Sequence, residues 1–517
     1  MKRRFTAVDF INTGKETGPT RHGHPFRKVL DMPASPPVSV APESLLLNGR
    51  WQRGSASFDV TDPATLQVIG QAADGGREDA LAALAAAEAA ADGWRAVSAE
   101  DRAGMLRDAA AEIRAHADRL AVLLTSENGK PLAEARAEVM GSARMLDWAA
   151  EEGRRAHGRV TQPAGAGPGL VLKVPVGPAL AITPWNFPAS MLIRKVGLAL
   201  AAGCPLIVKP AEQTPLIGAE LIRIVHAAGL PAGVLQCVTT TRPAEVAGAL
   251  LADPRLRKVS FTGSTEVGLH LIRSTGDRLR RVSLEMGGHA PAIVYDDADL
   301  ESAAAAVVAT KFAGAGQSCI SINRLYVHRS VHDEFVGLVL DKVAQLRIGH
   351  GAAEGTTIGP LIDFDAIDKV ERHVGDAVDR GAVVAAGGRR WAPDDPALKG
   401  AFFEPTVLTG AEDTMLISSE ETFGPVLPVY AFDGEDEVIQ RANRTDYGLA
   451  AYVYSQALAR VWRNVDRLNF GVVGVNDPFP VRPELPFGGM KNSGQEREGG
   501  SEGIDAYLDI KSVSVRL

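Results

Sequence analysis

Apolar positions along this chain change their period as it is read from end to end, and the changes predict its elements. From Leu45 to Gln71, short apolar runs flank the Asn48-Gly49 pair, which predicts small strands joined by tight turns. Three Ala-rich stretches follow with apolar residues three and four apart. They predict helices over Asp79–Ala91, Asp101–Ser126 and Leu132–Glu151, the last ending at Gly153. Gly158 to Gly177 sets Pro163, Gly165, Gly167, Pro168 and Gly169 between β-prone runs and reads as a protruding hairpin.

Strand and helix then alternate. Strands are expected at Ala179–Ile182, Pro205–Lys209, Gly233–Val238 and Lys258–Thr262, with helices at Ser190–Ala201, Leu216–Ala228 and Ala244–Ala252 between them. Strands rich in Val and Ile that are apolar on both faces belong to a parallel sheet covered on both sides by helices. A second alternating region runs from Pro291 to about Val473, and Leu508 to Val515 alternates as an added strand would. The expected fold class is therefore α/β with two layered units.

Composition narrows the function classes. A chain of 517 residues is too long for one simple core, and 45% hydrophobic with 23% charged residues is ordinary for a globular enzyme. A net charge of −8 argues against nucleic acid or an anionic membrane as the main partner. Its three cysteines, Cys204, Cys237 and Cys319, lack metal-like spacing. They speak against a disulfide framework and a zinc site and for a reducing cytoplasm, so no metal is expected. Apolar stretches such as Val174 to Ile182 and Val196 to Val208 are broken by Pro or Gly, and no membrane span is expected. Met1-Lys2-Arg3-Arg4 opens a basic leader without the apolar core of a secretory signal. Residues 1–42, with Pro33, Pro36 and Pro37 as a linker and Met32 as an alternative start, are expected to be disordered, an organellar presequence being the other reading.

The chemistry centres on Cys319, in Ala315-Gly316-Gln317-Ser318-Cys319-Ile320, where Gly316 and Ser318 are expected to leave room for substrate. A thiolate attacking an aldehyde needs an oxyanion donor, a hydride acceptor and a base for the second half-reaction. Asn186 in Thr183-Pro184-Trp185-Asn186-Phe187-Pro188 offers an amide, and Glu285 in Leu284-Glu285-Met286-Gly287-Gly288 offers a carboxylate. Gly263-Ser264-Thr265-Glu266-Val267-Gly268 follows a strand and precedes a helix. That places backbone N–H groups and a partial positive charge where a pyrophosphate can sit. Lys209 ends an apolar strand, where a doubly wound sheet puts ligand-contacting residues.

Together and in this order, these segments resemble the aldehyde dehydrogenase superfamily. The resemblance runs from about Leu46 to the C-terminus and includes Lys209-Pro210-Ala211-Glu212-Gln213-Thr214-Pro215, Glu420-Glu421-Thr422-Phe423-Gly424-Pro425 and Pro486-Phe487-Gly488-Gly489-Met490-Lys491. It implies a Rossmann-like cofactor domain (43–157 and 178–287), a catalytic domain (288–499) and a β-strand arm (158–177 and 500–517) that joins subunits into a homodimer or homotetramer. It implies that Cys319 forms a thiohemiacetal and then a thioester, with Asn186 as oxyanion donor and Glu285 as base. Glu285 favours hydrolysis over transfer to coenzyme A. Lys209 and Glu212 would take the adenosine ribose, Gly263, Ser264 and Gly268 the pyrophosphate, and Glu421 and Phe423 the nicotinamide ribose, with Trp185 also binding the cofactor. A carboxylate at Glu212 repels a 2′-phosphate, so NAD is expected over NADP. Lys195 reads as a helix-surface lysine, with help in moving the Glu285 proton as its alternative.

The tail Ser493-Gly494-Gln495-Glu496-Arg497-Glu498-Gly499 and Gly503-Ile504-Asp505-Ala506-Tyr507-Leu508 looks most like the succinate-semialdehyde dehydrogenase branch. In that branch two arginines and a serine hold the distal carboxylate. Arg194 matches the first arginine, Ala313 replaces the second, and Arg482 falls at the serine. An anionic aldehyde bound by Arg194 and Arg482, succinate semialdehyde first, is one reading; a neutral aliphatic or aromatic aldehyde is the other. Cys319 is followed by Ile320 and Ser321, which excludes a local disulfide switch. Coenzyme A acylation and a non-catalytic scaffold are the rival functions.

Overall fold

The computed structural model describes residues 43–162, 167–276 and 278–515, so the expected leader lies outside the described residues. Its first sheet has eight strands, in the order Gly494–Gln495, Arg281–Glu285, Lys258–Thr262, Ala179–Ile182, Leu206–Lys209, Leu235–Cys237, Leu45–Leu47 and Arg50–Gln52. Five central strands run parallel, and antiparallel strands close both edges. Leu206–Lys209 and Lys258–Thr262 are buried at every position, as strands covered on both faces must be. Register sets Ile182 beside Lys209 and Thr262 beside Glu285, so the carboxyl edge of the sheet gathers these residues.

Helices Pro188–Ala202, Pro215–Ala227 and Pro243–Ala252 each begin with a proline, whose missing N–H costs nothing in a first turn. Glu127 caps the second of them from a distant helix. Its carboxylate accepts from the N–H groups of Leu216 and Ile217 at 2.6 and 2.9 Å, and burial pushes its pKa up to about 8. The helix expected over Asp101–Ser126 is two, Ala99–Ala115 and Ala117–Asn128, because His116 leaves helical geometry at ψ 14 between them. The Ala-rich period continues across that break and does not announce it.

The second sheet has seven strands, in the order Val383–Ala386, Thr406–Thr409, Val426–Phe432, Ile322–His328, Ala290–Val294, Ala450–Tyr454 and Val472–Val475. All neighbours are parallel except the first pair, and the sheet has a hydrophobic core of its own. Gly494–Gln495 departs from the expected boundaries by returning from this unit to pair with Arg281–Glu285 of the first sheet. A third sheet, Leu508–Ser514, Gly169–Pro175 and Arg159–Thr161, stands apart and leaves Val160, Leu172 and Ile510 exposed.

The two large units meet through backbone at near-contact distance. A Cβ on Gly129 would lie 2.7 Å from Pro360 Cγ and 2.9 Å from Pro63 Cγ, and one on Gly400 would overlap the Pro63 carbonyl. The Leu132 N–H donates to the Gly351 carbonyl at 2.9 Å, and His350 pairs with Asp62 at 2.8 Å. Gly400→Ala is expected to lower stability by about 1–3 kcal/mol, because backbone has no rotamer with which to yield. Gly375→Ala, at an exposed position of the helix Phe364–Asp379 with nothing within 4 Å of the added carbon, is expected to gain about 0.5–1 kcal/mol. Denaturant unfolding of the two variants checks both signs.

Candidate active site

Cys319 sits on a turn between the helix Leu300–Phe312 and the strand Ile322–His328. Gly314, Ala315 and Gly316 precede it with φ of 55°, 56° and 75°, a left-handed run that only glycine adopts without strain. Gly316 does not make room for substrate as expected: a Cβ there would overlap the Gly424 carbonyl, so its bareness admits protein backbone. Gly288 does the same for the Cys319 carbonyl. The Tyr452 hydroxyl donates to the Ile320 carbonyl at 2.8 Å and pins the turn beyond the thiol.

Asn186 comes from the other unit, on the loop between the strand Ala179–Ile182 and the helix Pro188–Ala202. Its side-chain N–H donates to the Gln317 carbonyl at 3.0 Å, two residues before the thiol. A primary amide has a second N–H, and no protein acceptor takes it among the described residues. The Gln317 side chain braces the same turn by donating to the Gly314 carbonyl at 3.0 Å and accepting from the Ile362 N–H at 2.9 Å.

Glu285 ends the strand Arg281–Glu285, buried, and neither carboxylate oxygen has a hydrogen-bond partner among the described residues. Gly488 leaves space for it, since a Cβ there would lie 2.6 Å from Oε1. Burial and then the facing Glu498 carboxylate hold its pKa well above the usual carboxylate range; Lys195, Arg194 and Arg497 pull the other way. Burial, followed by Glu421 and Glu285, pushes the Cys319 thiol up to about 12, with Arg194 opposing.

Lys195 corrects the sequence reading. It is 0% exposed rather than on a helix surface, and its ammonium donates to Glu498 and, at 3.1 Å, to the Ser260 hydroxyl. Glu498 was missed altogether. A usable signal was present: Arg194 and Lys195 are the sole charges in the otherwise apolar helix Pro188–Ala202, which is buried along almost its whole length. Arg194 is buried too, its guanidinium 4.8 Å from the centre of the Phe487 ring, with Nη1 lacking a protein partner among the described residues. Arg482 is half-exposed and turned onto its own loop, donating to the carbonyls of Phe479 and Val481 and to Asp477.

The cofactor candidates gather at the carboxyl edge of the first sheet. Ser264 caps the helix Thr265–Ser274 by accepting from the Val267 N–H at 3.3 Å, and the Gly263 N–H donates to the Glu285 carbonyl at 3.1 Å. A Cβ on Gly268 would overlap Met286, so the helix lies flush against the strand end. Trp185 and Phe423 meet edge to face at 5.7 Å, Phe423 holding a left-handed φ of 55°. Glu421 accepts from the Gly288 N–H at 2.9 Å, and burial pushes its carboxyl up to about 7. Lys209 donates to Glu212 at 2.7 Å.

Comparison with known proteins bears on this geometry. The family described as "Aldehyde dehydrogenase family" matches residues 51–513. The chain is similar to a Sinorhizobium fredii protein named as an NADP(+) succinate-semialdehyde dehydrogenase, 45% identical over 89% of this chain and 92% of that one. It is 44% identical to an Escherichia coli protein named in the same way, over 92% of this chain and 98% of that one. A solved succinate-semialdehyde dehydrogenase from Burkholderia pseudomallei superposes with a TM-score of 0.90 at 43% identity, covering 94% and 99% of the two chains. The NADP(+) names overturn the NAD preference inferred from Glu212. The physical reason is local: the Glu212 carboxylate is bound to the Lys209 ammonium, which offsets the charge meant to repel a 2′-phosphate.

If Glu498 holds the Glu285 pKa up, its neutralisation must bring it down. Glu498→Gln is expected to move the acid limb of the kcat–pH profile toward lower pH, and Lys195→Met toward higher pH, the outcome expected of a carboxylate that must be ionised to act as a base. Steady-state rates of both variants across pH check the opposite signs.

Proposed function

The chain belongs to the aldehyde dehydrogenase family, and on that premise we propose that it oxidises a short aliphatic aldehyde with a distal carboxylate, succinate semialdehyde first, to the dicarboxylic acid. One observation carries this substrate reading. The Arg194 guanidinium is buried in the field of Glu498, then Glu285 and Cys319, and keeps Nη1 without a protein partner among the described residues. A buried, unpaired guanidinium nitrogen is costly unless an anion comes to it. Arg482 spends its donors on its own loop and Ala313 contributes none, so a single guanidinium faces the substrate. That supports a neutral aldehyde as the second reading.

In the reaction proposed here, the Cys319 thiolate adds to the aldehyde carbon. The oxyanion formed accepts hydrogen bonds from the free Asn186 N–H and the Cys319 backbone N–H. The residues at the sheet edge fit a nicotinamide dinucleotide: a capped helix N-terminus at Ser264 for the pyrophosphate, Lys209 and Glu212 for the adenosine ribose, and Glu421 with Phe423 and Trp185 for the nicotinamide side. Such a group supplies a hydride acceptor when bound. Loss of hydride leaves a thioester on Cys319. Glu285 then takes a proton from water, the hydroxide attacks the thioester carbonyl, and the thiolate leaves. The buried pair Lys195–Glu498 beside Glu285 offers the route by which that proton departs.

The three-stranded sheet carries exposed Val160, Leu172 and Ile510, and we place the contact between subunits of a homo-oligomer there. Among the described residues no helix is long and apolar enough to cross a membrane. Three free cysteines suit a reducing compartment such as the cytoplasm.

Turnover of succinate semialdehyde and butanal with NADP(+) tests the substrate reading. Succinate semialdehyde is expected to be preferred. Arg194→Leu is expected to lower its kcat/KM by about 10- to 100-fold more than that of butanal, as for loss of a hydrogen bond to a charged group. An equal or better kcat/KM for butanal in the unsubstituted enzyme sinks the anionic pocket and leaves the thioester chemistry standing.

A further inference from the structure

One short segment, the end of the helix Ala117–Asn128 and the start of the helix Leu132–Arg155, reaches both walls of the candidate site. On the Asn186 side, Asn128 donates its amide N–H to the Trp185 carbonyl at 2.9 Å. Lys130 donates to the Asn186 carbonyl at 2.7 Å, with its ammonium 4.3 Å from the centre of the Phe187 ring. Glu138 accepts from Lys130 at 2.5 Å and from the N–H groups of Ala189 and Ser190 at 2.9 and 3.1 Å. On the Cys319 side, Glu134 accepts from the Gly314 N–H at 2.8 Å.

Lys130 and Glu138 are each 3% exposed, and removing such a pair from water is expensive. Their remaining bonds run to the loop that carries Asn186 and to the helix that follows it. The Lys130 ammonium ends on the backbone of the residue whose amide must meet the oxyanion, and the Glu138 carboxylate ends on the next helix N-terminus. Asn186 is thereby held at both ends, by Lys130 at its carbonyl and by Gln317 at its amide.

We propose that Lys130 is a positioning residue for the reaction, with Glu138 as its counter-ion: it fixes the Asn186 amide relative to Cys319, while Glu134 on the same helix fixes the turn that carries the thiol. The inference rests on the reading of Asn186 as the oxyanion donor. Lys130 touches no reacting atom and acts through Asn186, so its loss costs rate rather than aldehyde binding.

The test is a double-mutant cycle of Lys130→Met and Asn186→Ala in the full-length enzyme, with rates normalised to the folded fraction measured by circular dichroism and denaturant unfolding. Lys130→Met is expected to lower kcat by about 10- to 100-fold, the scale of a misplaced reacting group, with the aldehyde KM little changed. The double variant is expected to be no slower than about threefold below Asn186→Ala alone, since both changes remove one function. Lys130→Met/Glu138→Gln removes both charges together and leaves no buried carboxylate unpaired; it replaces Lys130→Met in the cycle if that variant does not fold. Multiplicative losses overturn the proposal, as does a normal kcat per folded enzyme. A normal kcat in Asn186→Ala is a different failure, because it removes the oxyanion reading itself and the proposal with it.

Discussion

Glu285 and Glu498 face one another out of water, 2% and 3% exposed, and two carboxylates in a low-dielectric interior repel unless counter-charge is built beside them. The helix Pro188–Ala202 builds it. Lys195 bonds Glu498, Arg194 lies within the field of Glu285 and Cys319, and both cations are carried on a helix otherwise apolar enough to pack against the first sheet. Glu285 is therefore a carboxylate whose proton affinity is raised by burial and by Glu498 and trimmed by Lys195, Arg194 and Arg497. Cys319 answers to the same balance, raised by burial and by Glu285 and Glu421, lowered by Arg194.

That arrangement demands dimensional control across two units of the chain, because Glu285 and Asn186 belong to the first sheet and Cys319 to the second. Control comes from backbone. Gly129 and Gly400 bring main chain of one unit against the other where a methyl group would not fit, and Gly288 and Gly316 do the same within the second unit around Cys319. The Asn186–Gln317 hydrogen bond then ties the two loops directly. Rigid elements held at near-contact distance have no slack with which to blur the geometry of the thiol and the amide.

Much of the fold was legible in the chain because it is periodic. The strands at Ala179–Ile182 and Lys258–Thr262 lie where the alternation put them, and the helices between them differ by a residue or two at their ends. His116 was not legible, since a single residue of non-helical ψ leaves the Ala-rich period intact on both sides. The return of Gly494–Gln495 to the first sheet was not legible either: a two-residue strand has no period to read. At the site, motif spacing singled out Cys319, Asn186 and Glu285, while the environment of each stayed hidden. Lys195 read as a surface lysine, and burial decided otherwise; neither the turn of Arg482 onto its own loop nor the Lys209 ammonium beside the Glu212 carboxylate was visible in the sequence.

The sequence by itself determined the α/β alternation, the order of the segments and which thiol, amide and carboxylate are the candidates for the chemistry. These are properties of one element or one turn, and neighbouring residues encode them. Tertiary structure alone decided which charges are buried, which are paired and what each candidate faces. Lys195 and Glu498 are 303 positions apart, and Asn186 and Gln317 are 131 apart. Desolvation and Coulomb interaction depend on distance through space, which local sequence does not carry until the two sheets are folded and docked.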